Sequence, residues 1–148
     1  MSQKTLILLK PDAVERQLVG RILSRYESKG LQVVALKLLR ATRKQAAELY
    51  AIHKGRPFYK GLVDYIGNSP LIAAVLQGEE AIKLARALNG ATNPKEALPG
   101  TIRGDLAVSQ RYNLVHASDS AKTAKKEIAI FFDRKEIVKY AHLPAKWL

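Results

Sequence analysis

The 148 residues predict an α+β sandwich, an antiparallel four-stranded sheet covered by helices. Three observations carry this prediction. Short apolar runs rich in β-formers alternate with segments of helical periodicity. Read in order they give βαβ, an inserted helical pair, then βαβ with a closing helix, which is the split-βαβ, ferredoxin-like arrangement. The length suits a single domain, residues 1–148, and no repeat, low-complexity tract or Gly/Ser linker divides it.

Thr5–Leu9 (TLILL) is apolar on both faces, so it reads as a strand in the middle of the sheet. Pro11 and Asp12 open a helix, because proline suits the first helical turn and an acid suits the N-terminus. Its apolar stripe is Val14, Leu18, Ile22, Leu23 and Tyr26, and Gly30 is its stop. Leu31–Leu39 (LQVVALKLL) follows as a second strand. Thr42-x-x-Gln45 forms a capping box for a helix running to about Ile52. A turn through Pro57 leads to a short helix near Tyr59–Tyr65, and Asn68-Ser69-Pro70 turns the chain into a buried strand at Leu71–Gln77. Glu79–Asn89 is a helix ended by Gly90. The irregular stretch ATNPKEALPGTIRGD then holds two prolines and two glycines. Loops of that length in a compact domain often carry function. Asn113–His116 is the last strand, and a helix runs from Ser118–Ser120 to about Phe132. An amphipathic segment, Arg134–Tyr140, precedes the tail AHLPAKWL.

The formal charge is +12, from 25 Lys+Arg against 13 Asp+Glu. Such a surplus favours a nucleic acid, an anionic membrane or a phosphorylated small molecule, though a soluble, self-repelling surface has the same composition. The basic residues are spread along the chain, with a modest knot at Lys122, Lys125 and Lys126. The absence of cysteine excludes disulfides, thiolate zinc sites and cysteine nucleophiles. His53, His116 and His142 show no metal-ligand spacing, which argues against a structural metal. The opening MSQKTLILLKPD has one short apolar run that Lys10 interrupts, too short for a signal-peptide core. No stretch reaches the roughly 18 apolar residues that span a membrane. The expected compartment is the cytoplasm, with no membrane partner.

The segment Asn113-Leu114-Val115-His116-Ala117-Ser118-Asp119-Ser120 puts a histidine at the end of a buried strand, just before a helix N-terminus. Backbone N–H groups at such a terminus favour phosphate. An imidazole there can act as a nucleophile, and a carboxylate on its far nitrogen would fix the tautomer. Glu127, two turns into the following helix, is the nearest candidate. Taken alone, a packed or capping histidine explains the same residues.

NxxH(G/A)SDS resembles the active-site signature of nucleoside diphosphate kinases. The resemblance extends through the opening TLILLKPDAV, the segment HKGRPFYKGLVDYI and GATNPKEALPGTIRGD, so it spans essentially the whole chain. It implies γ-phosphoryl transfer from a nucleoside triphosphate to a nucleoside diphosphate, ping-pong, through a phosphohistidine on His116. By the same resemblance Ser118 and Glu127 orient His116, Tyr50 lies beside it, and Lys10 and Asn113 contact the sugar. Arg86, Thr92 and Arg103 match the phosphate clamps, which suits the bidentate chemistry of guanidinium and phosphate. Phe58 matches the aromatic under the base, a contact tolerant of base identity. Mg²⁺ is the implied cofactor, with Asp119 near it through water.

Substrates are then ribo- and deoxyribonucleoside di- and triphosphates, and the family implies a homo-oligomer, a hexamer rather than a tetramer. The tail ending Ala145-Lys146-Trp147-Leu148 is long enough to contact a neighbour. The chain departs from the family pattern at Ala117 for glycine, at Leu106 for an aromatic, and at Gln110 for an apolar second wall of the base site. Arg56 serves either phosphate or structure and is left outside the site.

The alternative is a basic, ferredoxin-like nucleic-acid-binding module, prompted by the +12 charge. Such modules carry strand aromatics. TLILL, LQVVALKLL and LIAAVL carry none, so nucleic-acid binding is at most secondary. A P-loop kinase is excluded because no Gly-Lys pair occurs anywhere.

Overall fold

The structure, a computed structural model, describes residues 2–142 and residue 147. Strand β1 (Ser2–Leu9) runs antiparallel to β3 (Leu71–Glu79), from Ser2 opposite Glu79 to Leu9 opposite Ile72. On its other side β1 pairs antiparallel with β4 (Val115–Ala117), Leu8 facing His116. β2 (Gln32–Leu39) completes the sheet against β3, and the order β2-β3-β1-β4 is the predicted split-βαβ topology.

Seven α-helices are present among the described residues: α1 (Pro11–Glu15), α2 (Val19–Ser28), α3 (Arg43–Leu49), α4 (Tyr59–Asn68), α5 (Ala81–Asn89), α6 (Ile102–Leu106) and α7 (Ala121–Phe131). Ile7 and Leu9 of β1 join a core with Ile22 and Tyr26 of α2 and Ala81 and Ala85 of α5. Leu6 and Leu8 join a second core with Leu49 of α3, Ile66 of α4 and Phe131 of α7. Helices therefore cover both faces, which is why TLILL shows no polar alternation. Among the described residues the apolar face of the sheet is open only at β2, where Leu36 and Leu38 are exposed and no aromatic is offered for bases to stack on, and this counts against the nucleic-acid module.

Several boundaries differ from the sequence expectation. The helix predicted from Pro11 is two, because Gln17 turns left-handed (φ 58°) and ends α1. Leu18 N–H still bonds back to the Ala13 carbonyl at 3.0 Å, so the apolar stripe carries across the break. The stretch predicted as irregular contains α6, capped by the Thr101 hydroxyl, which accepts from Gly104 N–H at 3.0 Å. Gly104 is obligatory there: a Cβ would lie 2.0 Å from the Leu98 carbonyl oxygen. β3 runs on to Glu79, so α5 starts at Ala81 rather than Glu79. α3 stops at Leu49, and a 3₁₀ turn covers Ala51–His53.

The segment predicted as amphipathic, Arg134–Tyr140, is a 3₁₀ turn at Arg134–Glu136 followed by extended chain. Val138 N–H donates to the Val34 carbonyl at 2.8 Å and so closes part of the outer edge of β2. Of Ala145-Lys146-Trp147-Leu148 only Trp147 is described, so the expected tail contact lies outside the described residues.

Candidate active site

Alternation along β4 sets the site. Val115 and Ala117 point into the core beneath α2 and α5, so His116 points to the other face, towards α3 and α7. Glu127 of α7 meets it: its Oε1 lies 2.9 Å from His116 Nε2 and accepts the Ser118 hydroxyl at 2.6 Å. Ser118 and Glu127 are both buried, so Glu127 is not a solvated residue beside Lys122, Lys125 and Lys126. An ionised carboxylate only accepts hydrogen bonds, so Nε2 carries the ring proton and Nδ1 keeps its lone pair. The helix that presents Glu127 is capped by Ser120, whose hydroxyl oxygen accepts from Thr123 N–H at 3.1 Å.

The chain enters β4 through an uncommon turn. Leu114, fully buried, has φ 73°, and Val115 N–H donates to the Asn113 carbonyl at 2.9 Å. That closes a three-residue γ-turn of the strained kind. The predicted strand Asn113–His116 is accordingly displaced to Val115–Ala117.

A cavity of about 340 Å³ opens over this turn. Lys10, Tyr50, Arg86, Thr92, Arg103, Asn113, His116, Asp119 and Glu127 all line it. Lys10 Nζ donates to Asn113 Oδ1 at 2.7 Å, and Asn113 Nδ2 donates to the Thr92 carbonyl at 3.1 Å. Burial, aided by the positive charge of Arg103, pulls the Lys10 ammonium down to about 8. The Tyr50 hydroxyl is buried without a hydrogen-bond partner among the described residues. Burial and then the Glu127 charge raise its pKa, so it remains a neutral O–H. Asp119 is held below the usual carboxylate range by hydrogen bonds from Thr123 and Ser120. Lys10, Arg86 and Arg103 thus bring three cations to the wall of the cavity that His116 also lines, a charge that suits an anionic ligand.

With that geometry in place, the comparison with known proteins is direct. Residues 3–137 match the family model described as nucleoside diphosphate kinase. The chain belongs to the nucleoside diphosphate kinase family. A nucleoside diphosphate kinase of Thermoplasma acidophilum is 49% identical over 142 residues, which are 96% of this chain and 96% of that protein. A halophilic nucleoside diphosphate kinase from Halobacterium salinarum, solved in complex with CDP, has a TM-score of 0.96 at 40% identity, covering 99% of this chain and 98% of that one. A nucleoside diphosphate kinase family protein from Babesia bovis has a TM-score of 0.95 at 42% identity, covering 98% of each chain.

Within this nucleoside diphosphate kinase domain two residues sit differently from the simplest expectation. Arg103, matched to a phosphate clamp, already donates to the carbonyls of Asn113 (3.2 Å), Gly90 (2.8 Å) and Val115 (2.6 Å). Two of its five N–H groups remain for a ligand. Phe58, matched to the base contact, is 52% exposed and does not line the cavity. His53 lines it instead, its ring meeting Phe58 edge-on at 5.2 Å. Sequence reasoning missed His53, although the spacing Tyr50-x-x-His53 puts the two on one helical face. Leu106 packs against the core and Gln110 is exposed.

Proposed function

We propose that the chain transfers the γ-phosphoryl group of a nucleoside triphosphate to a nucleoside diphosphate in two half-reactions, with a phosphohistidine on His116 between them. The observation that supports this most is the Glu127 carboxylate on Nε2, 2.9 Å away, which leaves the Nδ1 lone pair for attack. In the first half-reaction Nδ1 bonds to the γ-phosphorus as the bond to the bridging oxygen breaks, and the diphosphate departs with that electron pair. In the second, a terminal oxygen of the acceptor diphosphate attacks phosphorus and the N–P bond breaks. An imidazole phosphorylated on Nδ1 with Nε2 protonated is a cation, and the Glu127 charge stabilises it.

Arg86, Arg103 and Lys10 bring positive charge to oxygens that are spread around the transferring phosphorus. Thr92 lies among them, and the buried Tyr50 hydroxyl offers a donor beside His116. Lys10 and Asn113, joined at 2.7 Å, suit a ribose 3′-hydroxyl that both ribo- and deoxyribonucleotides carry. No group of three or more His, Cys, Asp or Glu among the described residues is placed to hold a metal, so Asp119 fits a Mg²⁺ held chiefly by the substrate's phosphates. When bound, Mg²⁺ neutralises charge on the β- and γ-phosphates.

A homo-oligomer, hexamer rather than tetramer, is part of the same reading. Leu36 and Leu38 stand 51% and 63% exposed on the edge strand β2, an apolar row suited to a second copy. The cytoplasm remains the proposed compartment, and no helix among the described residues is long and apolar enough to cross a membrane.

The test is incubation with ATP radiolabelled in its γ-phosphate. The expected product is an acid-labile, base-stable phosphoprotein that any nucleoside diphosphate discharges. Label that is acid-stable, or that no diphosphate removes, would defeat the proposal.

A further inference from the structure

The γ-turn ahead of His116 is held from outside at its three carbonyls and at the Leu114 N–H. On one side Arg103 donates to the carbonyls of Asn113 and Val115, at 3.2 and 2.6 Å. On the other, Lys10 N–H donates to the Leu114 carbonyl at 2.8 Å. The N–H of Leu114 lies in a left-handed, fully buried residue. An N–H there needs a partner from another element, because an unpaired buried amide is strongly disfavoured. Asp12 supplies it, Oδ2 accepting at 3.1 Å, while the Tyr65 hydroxyl donates to Oδ1 and fixes the carboxylate.

We propose that Asp12 is a positioning residue for phosphoryl transfer, its carboxylate clamping the Leu114 turn and so setting where Asn113 and His116 stand. The inference rests on His116 as the transfer residue. Lys10-Pro11-Asp12 is one continuous grip: the side chain of Lys10 holds Asn113, its backbone holds Leu114, and Asp12 holds Leu114 from the amide side. Pro11 fixes the chain direction between the two. A non-glycine residue with φ near 73° survives only where its surroundings over-determine it. Without Asp12, Leu114 has reason to relax towards extended backbone. A strand residue that changes its backbone angles carries its neighbours with it, and His116 is two residues away. A merely helix-capping acid at Asp12 would affect α1 and leave the chemistry alone.

The experiment compares Asp12→Ala and Asp12→Asn in the full chain at pH 6.5. Both variants lose the Asp12 charge that raises the Lys10 value of about 8, so a difference between them at this pH does not come from that ammonium. Asp12→Ala should lower kcat and the single-turnover rate of His116 labelling by about 10–100-fold, the effect of sub-ångström to ångström misplacement, with KM within about threefold. Asp12→Asn keeps an oxygen for Leu114 N–H and should stay within about fivefold of the parent. The proposal is overturned by Asp12→Ala within twofold of the parent, by a loss confined to KM, or by equal losses in both variants. Should Asp12→Ala not fold, Tyr65→Phe carries the test. It removes only the hydroxyl on Oδ1, so kcat must fall at least about threefold at unchanged KM, and an unchanged kcat overturns the proposal. His116→Ala is run alongside: label surviving in it defeats the transfer assignment itself, whereas a normal Asp12→Ala beside an unlabelled His116→Ala defeats only the clamp.

Discussion

Around His116 nearly every polar atom is held by another polar atom, whereas around Phe58 the contacts are between rings. The end proposed for phosphate contains Glu127 on Nε2, Ser118 behind it, Arg103 on three carbonyls and Lys10 on Asn113. From Tyr50, beside His116, a file of rings runs to the end proposed for the base, Tyr50 to His53 at 6.4 Å and His53 to Phe58 at 5.2 Å, the last half-exposed. Hydrogen bonds fix direction as well as distance. Ring pairs are each worth about 0.5–1.5 kcal/mol and tolerate tilt and slide. The contrast suits a catalyst that must align one phosphorus atom for every substrate and yet accept any base. Disturbing the first end should cost turnover; disturbing the second should cost affinity.

The largest effect is expected at the centre of the rigid end. His116→Ala should abolish phosphoenzyme formation and lower transfer by roughly 10⁴-fold or more. The fold should survive, since the side chain is partly exposed and belongs to neither core. Mass spectrometry of the labelled protein and a melting curve check both halves.

Glu127→Gln is next. It keeps the shape and an acceptor oxygen for Nε2 but loses the charge that would stabilise the proposed phosphorylated ring. Turnover should fall by roughly 10–100-fold, the usual cost of disturbing an orienting partner, with nucleotide affinity nearly unchanged. A fall in affinity at constant kcat would erase the distinction between the two ends.

Lys10 sharpens the comparison through pH. Its folded value is about 8 against an ordinary 10.5. Between those values the unfolded chain holds a proton that the folded one has released, so the Lys10 contribution to stability rises with pH across that window. Turnover is proposed to use the ammonium and should then move the other way. Above about pH 8, kcat/KM should drop by up to tenfold per pH unit while the urea midpoint gains from this group. Lys10→Met should flatten both trends. A wild-type kcat/KM that stays level to pH 10 would show that the charge on Lys10 is not used.

How far the sequence reveals each region follows the same division. TLILL announces a strand buried on both faces because nothing polar interrupts it, and the order of elements carries the topology. The phosphate-end residues stand in motifs whose order and spacing resemble a known family, and the cavity gathers nearly all of them. What the pattern hides is backbone conformation in residues with no signature for it. Gln17 and Leu114 are left-handed without being glycine, so one helix reads as continuous and the last strand reads as two residues too early. Asp12 illustrates the same point: as a letter it is a helix-opening acid, and only the fold brings it to Leu114. At the base end Phe58 was legible by resemblance, but its distance from the cavity and the intervening His53 depend on how the α3–α4 connection turns.

The smallest expected effects lie at that connection, and they decide whether the ring file acts as one unit. Phe58→Ala should raise KM for nucleoside diphosphates by about 3–10-fold at constant kcat, the low end for losing a stacking surface because the ring is half-exposed. His53→Ala should raise it by about 2–3-fold, in keeping with one edge-to-face pair. If His53 works only by holding the Phe58 ring, the double variant should be no worse than Phe58→Ala alone, since the second change removes support from a ring already gone. If His53 meets the base itself, as its place on the cavity wall allows, the two effects should multiply. A donor without a base, such as ribose 5-triphosphate, should be blind to both substitutions. A change in its KM would mean that the rings shape the phosphate end after all, and the division between a fixed end and a tolerant end would fail.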